Sequence, residues 1–449
     1  MYDIGIIGSG SAGYVAGIRA AQLGKKCCVI ERDEIGGVCL NRGCIPTKAI
    51  LASVDTLRNI KHARELGIKV ASSEPDFQEI MRRKKVIVKK LTSGVRFLLK
   101  QNGIEVIRGE ASIKGQGCLK VEDKEVRTKS IIICVGSSPF LPFDPEFISG
   151  NRKRVLTSDE ALSIESLPES ILIIGSGAIG IEFATIFSGL GTRVTLVEML
   201  PSILPEIKDE KIVDVVRKEL KSQGIEIIEG SKVEKVVTRQ GVSLLSTGEK
   251  IEADKVLVAC GRVPKLEVIE GLGLKRDAGR IVVDSSMRTS ISGIYAAGDI
   301  TGPPLLAHKA SSEGVIAVEN ACGIKSVMNY NAVPNCIFSN PEIAYVGKFE
   351  AEVPDAKIGE YRFQGVGKAL CIEESIGFAK VVADKDYRVK GVQIVGPHAS
   401  DLIPICAMGV KNELKAQELG ELIYPHPTLS ECLKEAFLDV THSAIHKHR

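Results

Sequence analysis

Residues 4–31, IGIIGSGSAGYVAGIRAAQLGKKCCVIE, align without a gap on residues 171–198, ILIIGSGAIGIEFATIFSGLGTRVTLVE. Each copy passes from an apolar strand through G-x-G-x-x-G into a helix and a second apolar strand. Each ends on a glutamate, Glu31 or Glu198. That order is the βαβ dinucleotide-binding fingerprint, and two copies of it call for two parallel-sheet nucleotide domains in one chain. The expected class is therefore α/β.

Every position in the fingerprint has a physical reason. Gly8 and Gly175 permit the tight turn out of the strand. Gly10 and Gly177 let a pyrophosphate approach the backbone, and Gly13 and Gly180 let helix and strand pack closely. Ser9, Ser11 and Ala12 in the first loop, like Ser176, Ala178 and Ile179 in the second, place backbone N–H groups around that phosphate at the positive end of a helix. Glu31 and Glu198 can accept ribose hydroxyls. An acid repels a 2′-phosphate, so Glu198 selects NAD over NADP if the second copy takes the nicotinamide cofactor. A second repeat, SIIICVGSSP (130–139) against KVLVACGRVP (255–264), closes each half with a strand, a glycine and a proline turn. A third strand–turn, GIYAAGDI (293–300), ends near Asp299, either a plain turn aspartate or a carboxylate for a ribityl or ribose hydroxyl. Two nucleotide sites imply electron traffic between two carriers, most simply NAD and a flavin.

The segment GGVCLNRGCIPTK (36–48) holds Cys39 and Cys44. In a regular helix such residues lie about 140° apart around the axis, which does not favour a disulfide. The segment must bend, and Gly43 supplies the place. Pro46 suits the first turn of the next helix, which puts Cys44 at that helix's N-terminus, where the dipole favours a thiolate. Lys48 adds positive charge. A redox pair, half of a metal site and two inert thiols are the alternatives. No other cysteine or histidine pair has finger-like spacing, and no metal is expected.

From about Asn329 the pattern changes to alternating strands, followed by helical stretches near Ser400–Gln417 and Ser430–His446. Between them, YPHPTLSECLKEAF sets His426 between two prolines. Thr428 and Glu431 fit a capping box, while His426 with Glu431 equally suits a general base and its orienter. His308, in LLAHKASSEG, reads as structural or cofactor-adjacent. The terminal HSAIHKHR reads as a frayed end.

The remaining features bound the class. At 449 residues, roughly two to four domains are expected. A net charge of +3 is too small to imply nucleic acid or an anionic membrane. The basic run Met81–Leu91 reads as a solvated helix face. No apolar run reaches the ~20 residues of a membrane span, and no signal peptide precedes the first strand. Twelve scattered cysteines suit a reducing, cytoplasmic setting.

Together these motifs resemble the flavin-dependent pyridine nucleotide-disulfide oxidoreductases, and within them the branch that oxidises dihydrolipoyl groups. The resemblance spans essentially the whole chain. It rests on the two fingerprints, GGVCLNRGCIPTK, IIICVGSSP, GRVP, IYAAGD, PLLAHKASSEG and HPTLSE. It implies two duplicated Rossmann-like domains binding FAD and NAD, plus a C-terminal α+β dimerisation domain. The divisions are 1–140 (FAD), 141–264 (NAD), 265–328 (completing the FAD domain) and 329–449 (interface). FAD would be held by the first loop with Glu31, Gly37, Val38, Lys48, Ala111, Gly136, Asp299, Leu306, Ala307 and His308. NAD would be held by the second loop with Glu198, Val233, Gly261 and Arg262. Cys44 would be the thiolate against the flavin, Cys39 the thiol that meets substrate, and Lys48 and Glu182 an ion pair near the flavin. His426, oriented by Glu431, would serve as base in the other subunit of a homodimer. The substrate would be a dihydrolipoyl group on a separate carrier protein.

Three positions depart from the family pattern: Val38 before the first cysteine, Tyr424–Pro425 before His426, and Lys265 after GRVP. The change at Tyr424 touches the substrate mouth. The same machinery would serve a glutathione- or CoA-type disulfide reductase, and a non-catalytic nucleotide sensor is the reading from another class. A sensor leaves the two cysteines, His426 and Glu431 unexplained.

Overall fold

The computed structural model describes residues 1–142, 148–149, 152–237 and 241–447. The first fingerprint forms β1 (Tyr2–Ile7), α1 (Ser11–Gln22) and β2 (Cys27–Glu31). After β2 come α2 (Gly37–Arg42), α3 (Cys44–His62) and α4 (Phe77–Gln101). The sheet is extended by β3 (Glu105–Arg108), β4 (Ala111–Gly115), β5 (Cys118–Val121) and β6 (Lys124–Ile133). Its order is β3-β2-β1-β6-β5-β4, and the distant strand Ile294–Ala296 joins β6 in parallel. Helices cover the parallel part, so β2 is buried along its whole length and reads as an unbroken apolar run.

The second fingerprint repeats this construction in the same register. Ile4 faces Cys27 in the first sheet as Ile171 faces Val194 in the second, and Ile7 faces Ile30 as Ile174 faces Val197. The close packing demanded of the third glycine is equally matched. A Cβ on Gly13 would lie 1.9 Å from the Gly8 carbonyl oxygen, and one on Gly180 would lie 1.9 Å from that of Gly175. The closing repeats pair with each other. β7 (Ser137–Pro139) runs antiparallel to Arg262–Pro264, which stitches the two nucleotide halves together beside the cleft.

The C-terminal module is a five-stranded antiparallel sheet, Asn335–Ile337, Glu342–Gly347, Val389–Gly396, Phe378–Ala383 and Lys357–Arg362 in spatial order. Where two helical stretches were expected there are three helices, Ala399–Lys411, Ala416–Gly420 and Glu431–Asp439. Val381, Val392, Ile394, Leu433 and Phe437 form a core with no exposed surface. Each such side chain is worth ~1.5–3 kcal/mol relative to exposure. Buried Lys380 bridges this module to the second nucleotide half through Asp209, Nζ to Oδ2 at 2.8 Å.

Two expectations are corrected here. The basic run is not wholly solvated: Lys84 is buried, its Nζ donates to the Leu162 carbonyl, and burial lowers its pKa. Its position on α4 turns it inward beside Met81. Nor is the tail frayed up to residue 447. Buried Glu435 accepts the N–H groups of Ile445 and His446 and meets His446 Nδ1 at 2.9 Å. Residues 448–449 lie outside the described residues. No helix among the described residues is long and apolar enough to cross a membrane.

Candidate active site

One cavity of about 710 Å³ takes in the Gly8–Ala12 loop, Glu31, Gly37 and Val38, both cysteines of the pair, Lys48, Ala111, Gly136 and Asp299. Leu306, Ala307 and His308, at the start of the helix Ala307–Ala321, line it too. The strand ends and loops that carry these residues are spread over 300 positions of sequence and meet because the parallel strands all end at this edge.

The cysteines sit on a broken helix. α2 ends at Arg42, Gly43 takes φ −145° and ψ −113°, and α3 starts at Cys44, with Pro46 in its first turn. The bend brings the two sulfurs into contact, and both cysteines line the cavity. Gly37 presses this segment onto the phosphate loop: a Cβ there would lie 2.6 Å from Gly10 Cα.

The two sulfurs bear on each other's ionisation. The contact between the two sulfurs lowers the pKa of the Cys39 thiol below its ordinary value. This outweighs burial, with help from the Ser11 hydroxyl, Lys48 and the Cys44 backbone N–H. The same contact and burial push Cys44 up.

Lys48 Nζ lies 2.8 Å from each oxygen of Glu182, which comes from the helix Ala178–Gly189 of the second half. The Phe338 N–H donates to Glu182 Oε1 at 3.2 Å, and Lys48 stands 4.1 Å from the Phe338 ring centroid. An ion pair from both nucleotide halves is therefore capped by the C-terminal module. Phe338 has no signal in the sequence, being remote from every motif. Cys336, on the strand Asn335–Ile337 that ends just before Phe338, is a third thiol lining the cavity, and burial raises it to about 11, which makes it a poor nucleophile at neutral pH.

The two fingerprint glutamates make identical contacts. Glu31 Oε2 accepts Ser9 N–H at 2.8 Å and Ser9 Oγ at 2.6 Å, and its Oε1 accepts Asp33 N–H at 2.8 Å. Glu198 Oε2 accepts Ser176 N–H at 2.9 Å and Ser176 Oγ at 2.7 Å, and its Oε1 accepts Leu200 N–H at 2.9 Å. Each carboxylate thus fixes the glycine loop in front of it. Of the second loop, Ala178 and Ile179 reach the main cavity, while Gly175, Ser176, Gly177 and Gly180 lie outside it with Glu198. A Cβ on Gly177 would meet nothing within 4 Å, so the backbone there is open to a phosphate. Both cradles fit a dinucleotide.

Two residues expected on the NAD side need restating. Arg262 lines the first cavity: its Nε donates to Ser137 Oγ at 2.8 Å, and Ser137 Oγ donates to Asp299 Oδ2 at 2.5 Å. The antiparallel pairing with β7 sets it beside Asp299 at the edge between the two halves. Val233 is 2% exposed in the core of its own sheet, so its side chain is packing and only its backbone can meet a nucleotide. Gly261 accepts the Phe140 N–H at 2.9 Å and holds the same inter-domain stitch. Ser137, missed in the sequence, was signalled by its place in the closing repeat.

His426 is not in this cavity; its side chain is 77% exposed. Its Nδ1 lies 2.8 Å from Glu431 Oε1, and Glu431 Oε2 accepts the Thr428 N–H at 3.0 Å. Glu431 therefore performs half of the expected capping box and orients the imidazole as well. Partial burial raises its carboxyl, but Thr428 and His426 outweigh burial and keep it below the ordinary carboxylate range. Tyr424 is anchored by its hydroxyl to the Leu419 carbonyl at 3.2 Å.

Residues 2–314 match the pyridine nucleotide-disulphide oxidoreductase family and residues 333–437 match that family's dimerisation domain, so the chain belongs to this family. It is an oxidoreductase that works with FAD and NAD. Among its relatives are proteins named dihydrolipoyl dehydrogenase. The one from Rhizobium etli is 39% identical, with 98% of each chain covered, and one from Bacillus subtilis is 40% identical, with 99% of each covered. The crystal structure of LpdA from Mycobacterium tuberculosis superposes with a TM-score of 0.89 at 27% identity, covering 97% of this chain and 99% of that one. The HOCl-induced flavoprotein disulfide reductase RclA from Escherichia coli superposes at 0.86 and 26% identity, covering 97% and 99%.

Proposed function

We propose that this chain is an NAD-dependent dihydrolipoyl dehydrogenase, a cytoplasmic homodimer that oxidises a dihydrolipoyl group carried on a separate protein. The observation that carries this reading is the Cys39–Cys44 pair on the break at Gly43, lining one cavity with the first phosphate loop and the Lys48–Glu182 pair. Within the set of site residues, FAD is assigned to the first loop with Glu31, Lys48, Ala111 and Asp299, and NAD to the second loop with Glu198. FAD, when bound, supplies the two-electron carrier between the thiol pair and NAD.

The chain's own residues have the following roles. His426 reaches the active site of the partner subunit, held there by Glu431, and removes a proton from one substrate thiol. The thiolate attacks the Cys39 sulfur of the oxidised pair; the Cys39–Cys44 bond breaks and Cys44 leaves with the electron pair. The second substrate thiol attacks the mixed disulfide, closes the lipoyl ring and releases Cys39. The pair then holds both electrons removed from the substrate. The exposure of His426 in a single chain suits a residue whose target lies on another subunit.

A second reading, a reductase for another disulfide, is favoured by Tyr424–Pro425 at the mouth and by the likeness to RclA. Steady-state turnover of lipoamide, glutathione disulfide and CoA disulfide with NADH, side by side, separates the two. Lipoamide is expected to be used best. Turnover of another disulfide with none of lipoamide sinks the dehydrogenase reading and keeps the family.

A further inference from the structure

Behind the turn that presents Asp299 lies a buried charged cluster that the redox chemistry does not use. Lys309 and Glu313, on the helix Ala307–Ala321, are 1% and 0% exposed, and their charged ends are 3.2 Å apart. Glu313 Oε2 accepts the Gly298 N–H at 2.7 Å. Lys309 Nζ donates to the Gly302 carbonyl at 2.9 Å, to Thr301 Oγ1 at 3.1 Å and to the Gly298 carbonyl at 3.3 Å. The remaining oxygen of Glu313, Oε1, accepts the hydroxyl of Tyr330 at 2.6 Å.

The turn needs such a clamp. Gly298 and Gly302 both have positive φ, +88° and +98°, and between them stands only a single 3₁₀ turn, Asp299–Thr301. The clamp grips it at both ends, and Asp299 between them faces the cavity, where Ser137 donates to it. The helix bearing the clamp also rests on the first fingerprint: a Cβ on Gly314 would lie 2.4 Å from the Ala12 carbonyl oxygen. Tyr330 arrives from elsewhere. It belongs to the segment that leads into the dimerisation domain, which begins at residue 333. Burial and the contact with Glu313 keep its hydroxyl protonated and donating.

We propose that Lys309, Glu313 and Tyr330 form a positioning cluster for the FAD-binding turn, through which the entry into the dimerisation domain governs how firmly FAD is retained. The inference rests on the assignment of Asp299 to FAD. A buried ion pair with every donor and acceptor matched is rigid, and loss of one charged hydrogen bond is worth about tenfold in affinity.

The test is the rate of FAD release from the holoenzyme, followed by the fluorescence of freed flavin, for Tyr330→Phe, Glu313→Gln and Asp299→Ala. Tyr330→Phe changes an exposed residue conservatively and is expected to fold. It should release FAD about tenfold faster, with the KM for NAD and the unfolding midpoint of the FAD-free protein unchanged. Glu313→Gln, which strands the Lys309 charge, should release it faster still. Wild-type release from both, with fast release from Asp299→Ala, overturns the cluster. So does FAD loss that merely tracks a fallen unfolding midpoint. Wild-type release from Asp299→Ala overturns the assignment of the turn to FAD instead.

Discussion

The matched glutamates allow one substitution to be made twice with opposite consequences. Glu31→Gln and Glu198→Gln each replace a carboxylate that receives three donors: a serine N–H, the same serine's hydroxyl and the N–H two residues onward. A glutamine has one acceptor oxygen, and its amide N–H₂ must face one of those donors. At least one hydrogen bond to a charged group is lost at a site less than a tenth exposed. At about 1.5–3 kcal/mol each, that predicts roughly ten- to 150-fold weaker binding of whichever dinucleotide the loop serves. Glu31→Gln should lose FAD on dialysis while the apoprotein reloaded with excess FAD keeps its KM for NAD. Glu198→Gln should retain FAD stoichiometrically, raise the KM for NAD by that factor and narrow the preference over NADP. The assays are flavin content by absorbance and initial rates with both nicotinamides. If Glu31→Gln alters the NAD KM and leaves flavin content intact, the two halves have been assigned the wrong way round. If neither substitution moves either quantity, the ribose role of these acids is refuted.

Two further outcomes follow from the thiols and the imidazole. In the reduced protein, alkylation by iodoacetamide should fall on Cys39 first, with a rate that rises at lower pH than that of an ordinary thiol because the contact with Cys44 lowers its pKa; Cys44→Ala should move that rise to higher pH, and mass spectrometry finding Cys44 modified first would refute Cys39 as the thiol that meets substrate. Homodimers of His426→Gln should lose about 10²–10⁴ in kcat, and homodimers of Cys39→Ser should be inactive, whereas refolding the two variants together should restore one working site per heterodimer; no recovery on mixing would place His426 in its own chain's chemistry or outside it.

The nucleotide halves were legible because a fingerprint is local: strand, turn and helix are specified within 28 residues, and the duplication repeated them. The bend at Gly43 was legible for the same reason. What escaped were relations between remote segments. Arg262 looked like part of the second site because it follows the second site's strand, yet the pairing of Arg262–Pro264 with β7 carries it to Asp299. Phe338 completes the Lys48–Glu182 pair from just beyond a strand whose own pattern only says antiparallel sheet. Lys84, expected in solvent with the rest of its run, was misread because a charge run has no marker for the one member that faces inward.

The central claim is that Cys39 and Cys44 store an electron pair beside the flavin. Anaerobic titration of the FAD-loaded, oxidised enzyme with dithionite measures this directly. The account predicts uptake of one electron pair more per bound FAD than free flavin accepts, and loss of that extra pair in Cys39→Ser. Uptake equal to that of free flavin, unchanged by Cys39→Ser, would contradict it.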